Sequence, residues 1–301
     1  MTQPTTVGMI GLGLMGHGIA KNLLAKGFAL RFVVHRDRSR LADLVAAGAQ
    51  ERDSVAALAQ GTRVVLLCVT GTPQVESIVY GDGGLLAAMA EGSIVIDAST
   101  AEPASTARMR ADFAARGVSF IDAPLARTPK EAEEGRLNTM VGASEADFER
   151  VRPILAAYCE NVIHVGPPGH GHTLKLINNM LSMTTAAAIA EAVAAAAKAG
   201  LSLPKVFQLL SAGAVNSGIL QLMLGRTLEG DLGGLKFAIA NAQKDLRYYT
   251  HLTEMLATTS PLAEATHQTL VQATNLGLGE RYVASLFEAQ EQLNGVRIVP
   301  R

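Results

Sequence analysis

The sequence holds no tryptophan, and phenylalanine and tyrosine bring the aromatic share to only 4%. So thin a supply argues against a surface on which nucleic-acid bases stack. An excess of either charge is missing as well. Lys and Arg number 26 against 27 Asp and Glu, a formal net charge of −1, with no basic block and no acidic tail. Neither a nucleic acid nor a membrane surface is therefore expected as a partner. The only two cysteines, Cys68 and Cys159, lie far apart without metal-ligand spacing. No metal site is expected, and a reduced, cytoplasmic setting fits. The N-terminus runs into TVGMIGLG without a charged leader and cleavage site, so no signal peptide is expected. In MLSMTTAAAIAEAVAAAAKAG, Glu191 and Lys198 interrupt the apolar residues. No run there reaches the ~20 apolar residues of a membrane span, and none is expected.

What is present is enough apolar material for a substantial core: 301 residues, 49% of them hydrophobic. That length suggests two domains. From Thr6 to about Val165, short apolar runs (VGMIGL, LRFVVH, RVVLLCV, SIVIDAS, SFIDAP, NTMVGA) alternate with helix-like stretches such as GIAKNLLAKG. Strand and helix in alternation predict a mainly parallel sheet with crossover helices. GPPGHGH then breaks the chain. Beyond it comes an alanine-rich segment over 171–199, followed by further helical stretches. The expected domains are residues 1–166, α/β, and residues 167–301, all-α and beginning with a long helix.

Directly after the first strand stands Gly11-Leu12-Gly13-Leu14-Met15-Gly16, a dinucleotide-binding fingerprint of the Rossmann type. The first glycine allows a tight turn, the second a close approach of a pyrophosphate, the third close helix–strand packing. After the second strand an NAD-selective site places an acid. Here the strand ends in His35-Arg36-Asp37-Arg38, and arginines suit a 2′-phosphate. NADP is therefore expected, with NAD as the alternative if Asp37 takes the ribose. Val69 and Thr70, closing RVVLLCVT, and Thr100 in DAST are further cofactor-facing candidates.

In HTLKLINNMLS, Lys175, Asn178, Asn179 and Ser182 fall at i, i+3, i+4 and i+7 and share one helix face. A lysine there can exchange a proton with a substrate hydroxyl while amides hold substrate oxygens. An exposed first turn with no ligand is the alternative reading of the stripe taken alone.

Together, GLGLMG, DAST, DAP, GPPGHGHTLKLINN and QKDL resemble the β-hydroxyacid dehydrogenase family, over about residues 6–279. The resemblance implies a Rossmann-type domain, a helical domain that pairs subunits as a homodimer or homotetramer, and a site between them. It implies that Lys175 is the catalytic lysine, that Asn178 and Asn179 hold substrate, and that Thr100 and Lys244 approach the cofactor. Read alone, Lys244 and Asp245 would be a surface charge pair. Two departures stand out. Phosphogluconate-decarboxylating relatives carry glutamate seven residues after the lysine, where this chain has Ser182, so simple hydride transfer is expected. Most of the family reads Ser-Gly-Gly where this chain has Ala126-Arg127-Thr128, which looks like the branch acting on sulfolactaldehyde. Arg127 and Thr128 are thus expected to receive the acid group of a small anionic hydroxy acid or semialdehyde. Alternatively, Arg127 points away and pairs with Glu131. The rival readings are an imine reductase, which generally has Asp or Tyr in place of the lysine, and a cofactor-binding protein without turnover.

Overall fold

The computed structural model describes residues 5–34 and 38–300. Close contacts divide the chain into two compact units, Met1–Lys175 and Leu176–Arg301.

The first unit is built on one sheet of nine described strands: β1 (Thr6–Ile10), β2 (Ala29–Val33), β3 (Gln50–Glu51), β4 (Val64–Leu67), β5 (Ile94–Asp97), β6 (Ser119–Asp122), β7 (Leu125–Ala126), β8 (Leu137–Gly142) and β9 (Cys159–Gly166). Their order is β3-β2-β1-β4-β5-β6-β8-β7, with β9 also pairing β8. From β3 to β6 every pairing is parallel. β8 then runs antiparallel to β6 and β7 and parallel to β9. Alternate residues of the central strands face opposite layers, as the two-residue period of a strand demands. Val64 and Leu66 of β4 join Ile19 and Leu23 of the Leu14–Ala25 helix in one core. Val65 and Leu67 join Val75, Met109 and Phe113 in the other. Helices therefore cover both faces, which is why these strands read as unbroken apolar runs. Chain order reverses at β1, which lies between β2 and β4. In such sheets the crevice at the carboxyl ends of the strands is where ligands bind.

The second unit is helical. Its core draws Met183, Ala186, Ala190 and Val193 from the His170–Lys198 helix, together with Leu246 of the Ile239–Met255 helix, Leu270 of the Pro261–Ala273 helix and Phe287. The long helix runs almost where the alanine-rich segment predicted it. One expectation about it is corrected. By length and composition alone it is able to cross a bilayer, with mean hydropathy 1.5 in its most apolar 18-residue window. Its alanines raise the hydropathy that a count of unbroken apolar residues overlooks. Met183, Ala186, Ala190 and Val193 pack into the core of their own unit, and 28% of that window is buried.

Candidate active site

The glycine turn after β1 has the shape its sequence implied. Gly11 sits at φ +100°, and a Cβ there would lie 2.2 Å from the Cys68 carbonyl oxygen. A Cβ on Gly16 would lie 1.9 Å from the Gly11 carbonyl oxygen. Both are places where only glycine fits. Gly13 is different, because an added Cβ there would meet nothing within 4 Å. It caps the Leu14–Ala25 helix without a side-chain hydrogen bond, and no acidic residue stands in the first turn. Orphan N–H groups and the positive helix end thus meet open space, with Leu14 exposed and Leu12 and Met15 packed beneath against the core. An anionic pyrophosphate fits such a turn.

The neighbouring strand ends complete this edge. The Val69 amide donates to Ser99 Oγ at 3.0 Å, and the Ser99 amide to Asp97 Oδ1 at 2.9 Å. Thr70 is exposed and Thr100 half-buried. His35 and Arg36, the residues behind the NADP expectation, lie outside the described residues. Arg38 pairs with Glu51 at 2.6 Å.

Arg127 has a backbone conformation that glycine usually takes, φ +80°. For a residue with a Cβ that costs about 1–2 kcal/mol, so the surrounding structure must hold it. Its guanidinium pairs with Glu160 at the start of β9 and donates to the Arg136 carbonyl. Glu131 is occupied elsewhere: with Thr128 it forms a capping box on the Pro129–Glu133 helix, accepting from the Thr128 amide at 3.0 Å. Burial works against the Glu131 carboxylate, yet the Thr128 hydroxyl and amide hold it below its ordinary range. Ala126 lies in β7 opposite Asn138. This loop is also tied to the glycine-turn helix. A Cβ on Gly18 would lie 2.4 Å from the Ala132 backbone, and Asn22 Nδ2 donates to the Ala132 carbonyl at 2.9 Å. His17 bridges Glu133 at 2.5 Å and Asp43 at 3.0 Å. The arginine and the dinucleotide turn are therefore parts of one rigid framework.

On the long helix, Lys175 is half-buried, Asn178 exposed, Asn179 buried and Ser182 half-buried. Asn179 Nδ2 donates to Asp245 Oδ2 at 2.6 Å, and its Oδ1 accepts from Asn178 Nδ2 at 3.1 Å. Lys244 Nζ pairs with Asp245 Oδ1 at 2.6 Å and stands 4.7 Å above the Tyr248 ring. Asp245 is 2% exposed, so it is no surface partner. It is a buried carboxylate that fixes the amide of Asn179 with one oxygen and the ammonium of Lys244 with the other. The QKDL motif was the signal for it.

Residues 6–166 match the family model described as the NAD binding domain of 6-phosphogluconate dehydrogenase. Residues 169–289 match the one described as NAD-binding of NADP-dependent 3-hydroxyisobutyrate dehydrogenase. The chain belongs to the β-hydroxyacid dehydrogenase family. Among curated relatives, 2-(hydroxymethyl)glutarate dehydrogenase of Eubacterium barkeri is 30% identical over 299 residues, 99% of each chain. The 3-sulfolactaldehyde reductase of Escherichia coli K12 is 31% identical over 284 residues, 94% of each. The crystal structure of 3-hydroxyisobutyrate dehydrogenase from Salmonella typhimurium superposes with a TM-score of 0.84 at 29% identity, covering 94% of this chain and 99% of that one. As a β-hydroxyacid dehydrogenase this chain is an NAD(P)-dependent oxidoreductase, and the open glycine turn at Gly13 suits that cofactor.

Proposed function

We propose that the chain interconverts a short 3-hydroxy acid and its semialdehyde, with Lys175 giving or taking the proton at the substrate oxygen. When bound, the nicotinamide supplies or accepts the hydride. Gly11 to Gly16, Val69, Thr70, Thr100 and Lys244 hold the cofactor. Asn179 presents an amide whose rotation Asp245 fixes, and Asn178 and Ser182 flank it on the same helix. Proton transfer by a positioned lysine contributes ~10²–10⁴-fold in rate. The observation that carries the reading is the buried Asn179–Asp245 contact one turn from Lys175. Asn179 is the buried member of the polar stripe, and a buried amide is costly unless it serves a ligand or is fully paired.

For the acid group, Ala126, Arg127 and Thr128 are the candidates. A guanidinium presents a rigid fork of donors that matches carboxylate or sulfonate oxygens. The Arg-Thr pair favours a sulfonate-bearing aldehyde among the substrates, and a 3-sulfolactaldehyde reductase is one of several relatives near 30% identity. NADP preference rests on Arg36 in the sequence, and a homodimer or homotetramer in the cytoplasm completes the reading. The test is a turnover screen of the purified chain with NADPH and NADH against sulfolactaldehyde, tartronate semialdehyde, methylmalonate semialdehyde and a cyclic imine. Turnover of an anionic aldehyde is expected. Reduction of the imine alone, or cofactor binding without any turnover, would overturn the proposal.

A further inference from the structure

At the carboxyl ends of β5 and β6, Asp97 and Asp122 stand side by side as partners in the parallel register, both fully buried. Asp122 directs both oxygens to the backbone of the long helix's start. Oδ1 accepts from the Gly169 amide at 2.6 Å and Oδ2 from the His172 amide at 2.8 Å. A carboxylate so placed satisfies orphan donors and suits the positive helix end. Asp97 Oδ1 accepts from the Ser99 amide. Its Oδ2 has no hydrogen-bond partner among the described residues and faces His172 Nε2, equally unpartnered, at 3.7 Å.

The other side of the ring is also engaged. His172 Nδ1 lies 2.7 Å from Thr106 Oγ1, and that hydroxyl donates to the Glu102 carbonyl at 3.2 Å. A hydroxyl has one hydrogen, so Nδ1 carries the proton of the shorter contact when Thr106 donates to Glu102, and accepts it when Thr106 donates to the ring. On its other edge, His172 Nε2 has only Asp97 Oδ2 facing it among the described residues. Burial pushes the Asp97 carboxyl up and the neighbouring Asp122 adds to this, while His172 and Ser99 pull it down. An orphaned buried polar atom costs about 1–3 kcal/mol, so the two have every reason to meet. A shift of ~0.8 Å brings 3.7 Å to hydrogen-bond length.

We propose that Asp97 and His172 form a positioning pair for Lys175, one shared proton holding the first turns of the long helix against the strand edge that bears Ser99 and Thr100. His172 precedes Lys175 by three residues, so the two lie one above the other on the same flank. Either Oδ2 or Nε2 can be the donor, and the contact is the same in both. The inference rests on the reading of Lys175 as the proton-transfer group.

The decisive variants are His172→Asn, which can still reach Thr106 but not Asp97, and Asp97→Asn, which still accepts from Ser99 and can donate to Nε2. A misplacement of about 1 Å near the chemistry costs up to ~10²-fold. His172→Asn is expected to lose about ten- to a hundredfold in kcat, with KM and cofactor Kd within about threefold. Asp97→Asn should hold kcat within about threefold of wild type. An undiminished kcat in His172→Asn, parallel losses in kcat, KM and Kd, or an Asp97→Asn variant as impaired as His172→Asn would each overturn the pair. If His172→Asn does not fold, nitrogen-15 spectra of the wild-type histidines decide, since a His172 Nε2 that neither donates nor accepts a hydrogen bond is incompatible with the proposal. Lys175→Ala is measured alongside. If it keeps turnover, the reading of Lys175 falls and the pair with it. If it abolishes turnover while His172→Asn does not, only the pair falls.

Discussion

Replacing Arg127 by glycine separates its two roles, as a strained link in the loop and as a receptor for the acid group. Glycine relieves the left-handed backbone at φ +80°, a gain of about 1–2 kcal/mol. Against that, glycine loses about 0.5–1 kcal/mol in backbone entropy. The ion pair with Glu160 also goes, but the two side chains are 30% and 47% exposed. Water screens such a pair to about 0.2–1 kcal/mol. These terms nearly cancel, so the melting temperature should move by no more than about 3 °C. Arg127→Ala keeps the strain and loses the pair, so it should melt below the glycine variant. Activity should behave differently. Loss of a charged partner costs about 2–5 kcal/mol in a buried site. Because Arg127 is partly exposed, the lower end applies, ~2 kcal/mol or about thirtyfold in kcat/KM. The assay compares an anionic aldehyde with an uncharged one of matched size in both variants. Glu160→Gln, which frees the guanidinium, should raise kcat/KM for the anionic aldehyde alone. Equal losses on charged and uncharged substrates would refute the reasoning and leave Arg127 a loop residue only.

Gly13→Ala should fold as the wild type does, since its Cβ meets nothing in the chain, yet bind cofactor at least tenfold more weakly; Gly11→Ala, aimed 2.2 Å from the Cys68 carbonyl, should be destabilised by several kcal/mol. Thermal melts and cofactor titration check both. Asp245→Ala removes the buried acceptor of the Asn179 amide and should cost about 1–3 kcal/mol of stability, measurable by denaturant unfolding. For His17, burial lowers the pKa but hydrogen bonds and charge from Glu133 and Asp43 outweigh it, so the pKa is raised above 6.5. Stability from a raised pKa is fully present below the unfolded value and fades as pH rises through the folded one. The pKa of Glu133 is lowered from 4.5, its burial outweighed by His17 and Lys21, so its share is present above 4.5 and fades as pH falls through the folded value. His17→Gln should therefore be most destabilising relative to wild type between pH 4.5 and 6.5. A difference growing toward alkaline pH would contradict the assignment.

Most of the sheet was legible because its central strands are buried on both faces and read as apolar runs. β9 was not. In Cys159–Gly166 the side chains of Glu160 and Asn161 are exposed, so its apolar pattern is broken, as befits an outer strand. That gap also hid the true partner of Arg127, since Glu160 lies 33 residues away on the strand that went unread. β3 and β7 are two residues each, too short to carry a periodicity. The glycine turn and the polar stripe of the long helix were legible because spacing alone encodes them. The burial of Asp245, and the meeting of Asp97, Asp122 and His172, depend on contacts between residues 25 to 75 positions apart, and no local pattern announces them.

The central claim, hydride transfer with Lys175 handling the proton, is tested most directly by single-turnover reduction of the best aldehyde from the screen by Lys175→Ala. With cofactor bound at wild-type affinity, the chemical step should slow by ~10²–10⁴-fold. A variant that keeps more than about a tenth of the wild-type single-turnover rate would contradict the account, because proton transfer would then lie with another group.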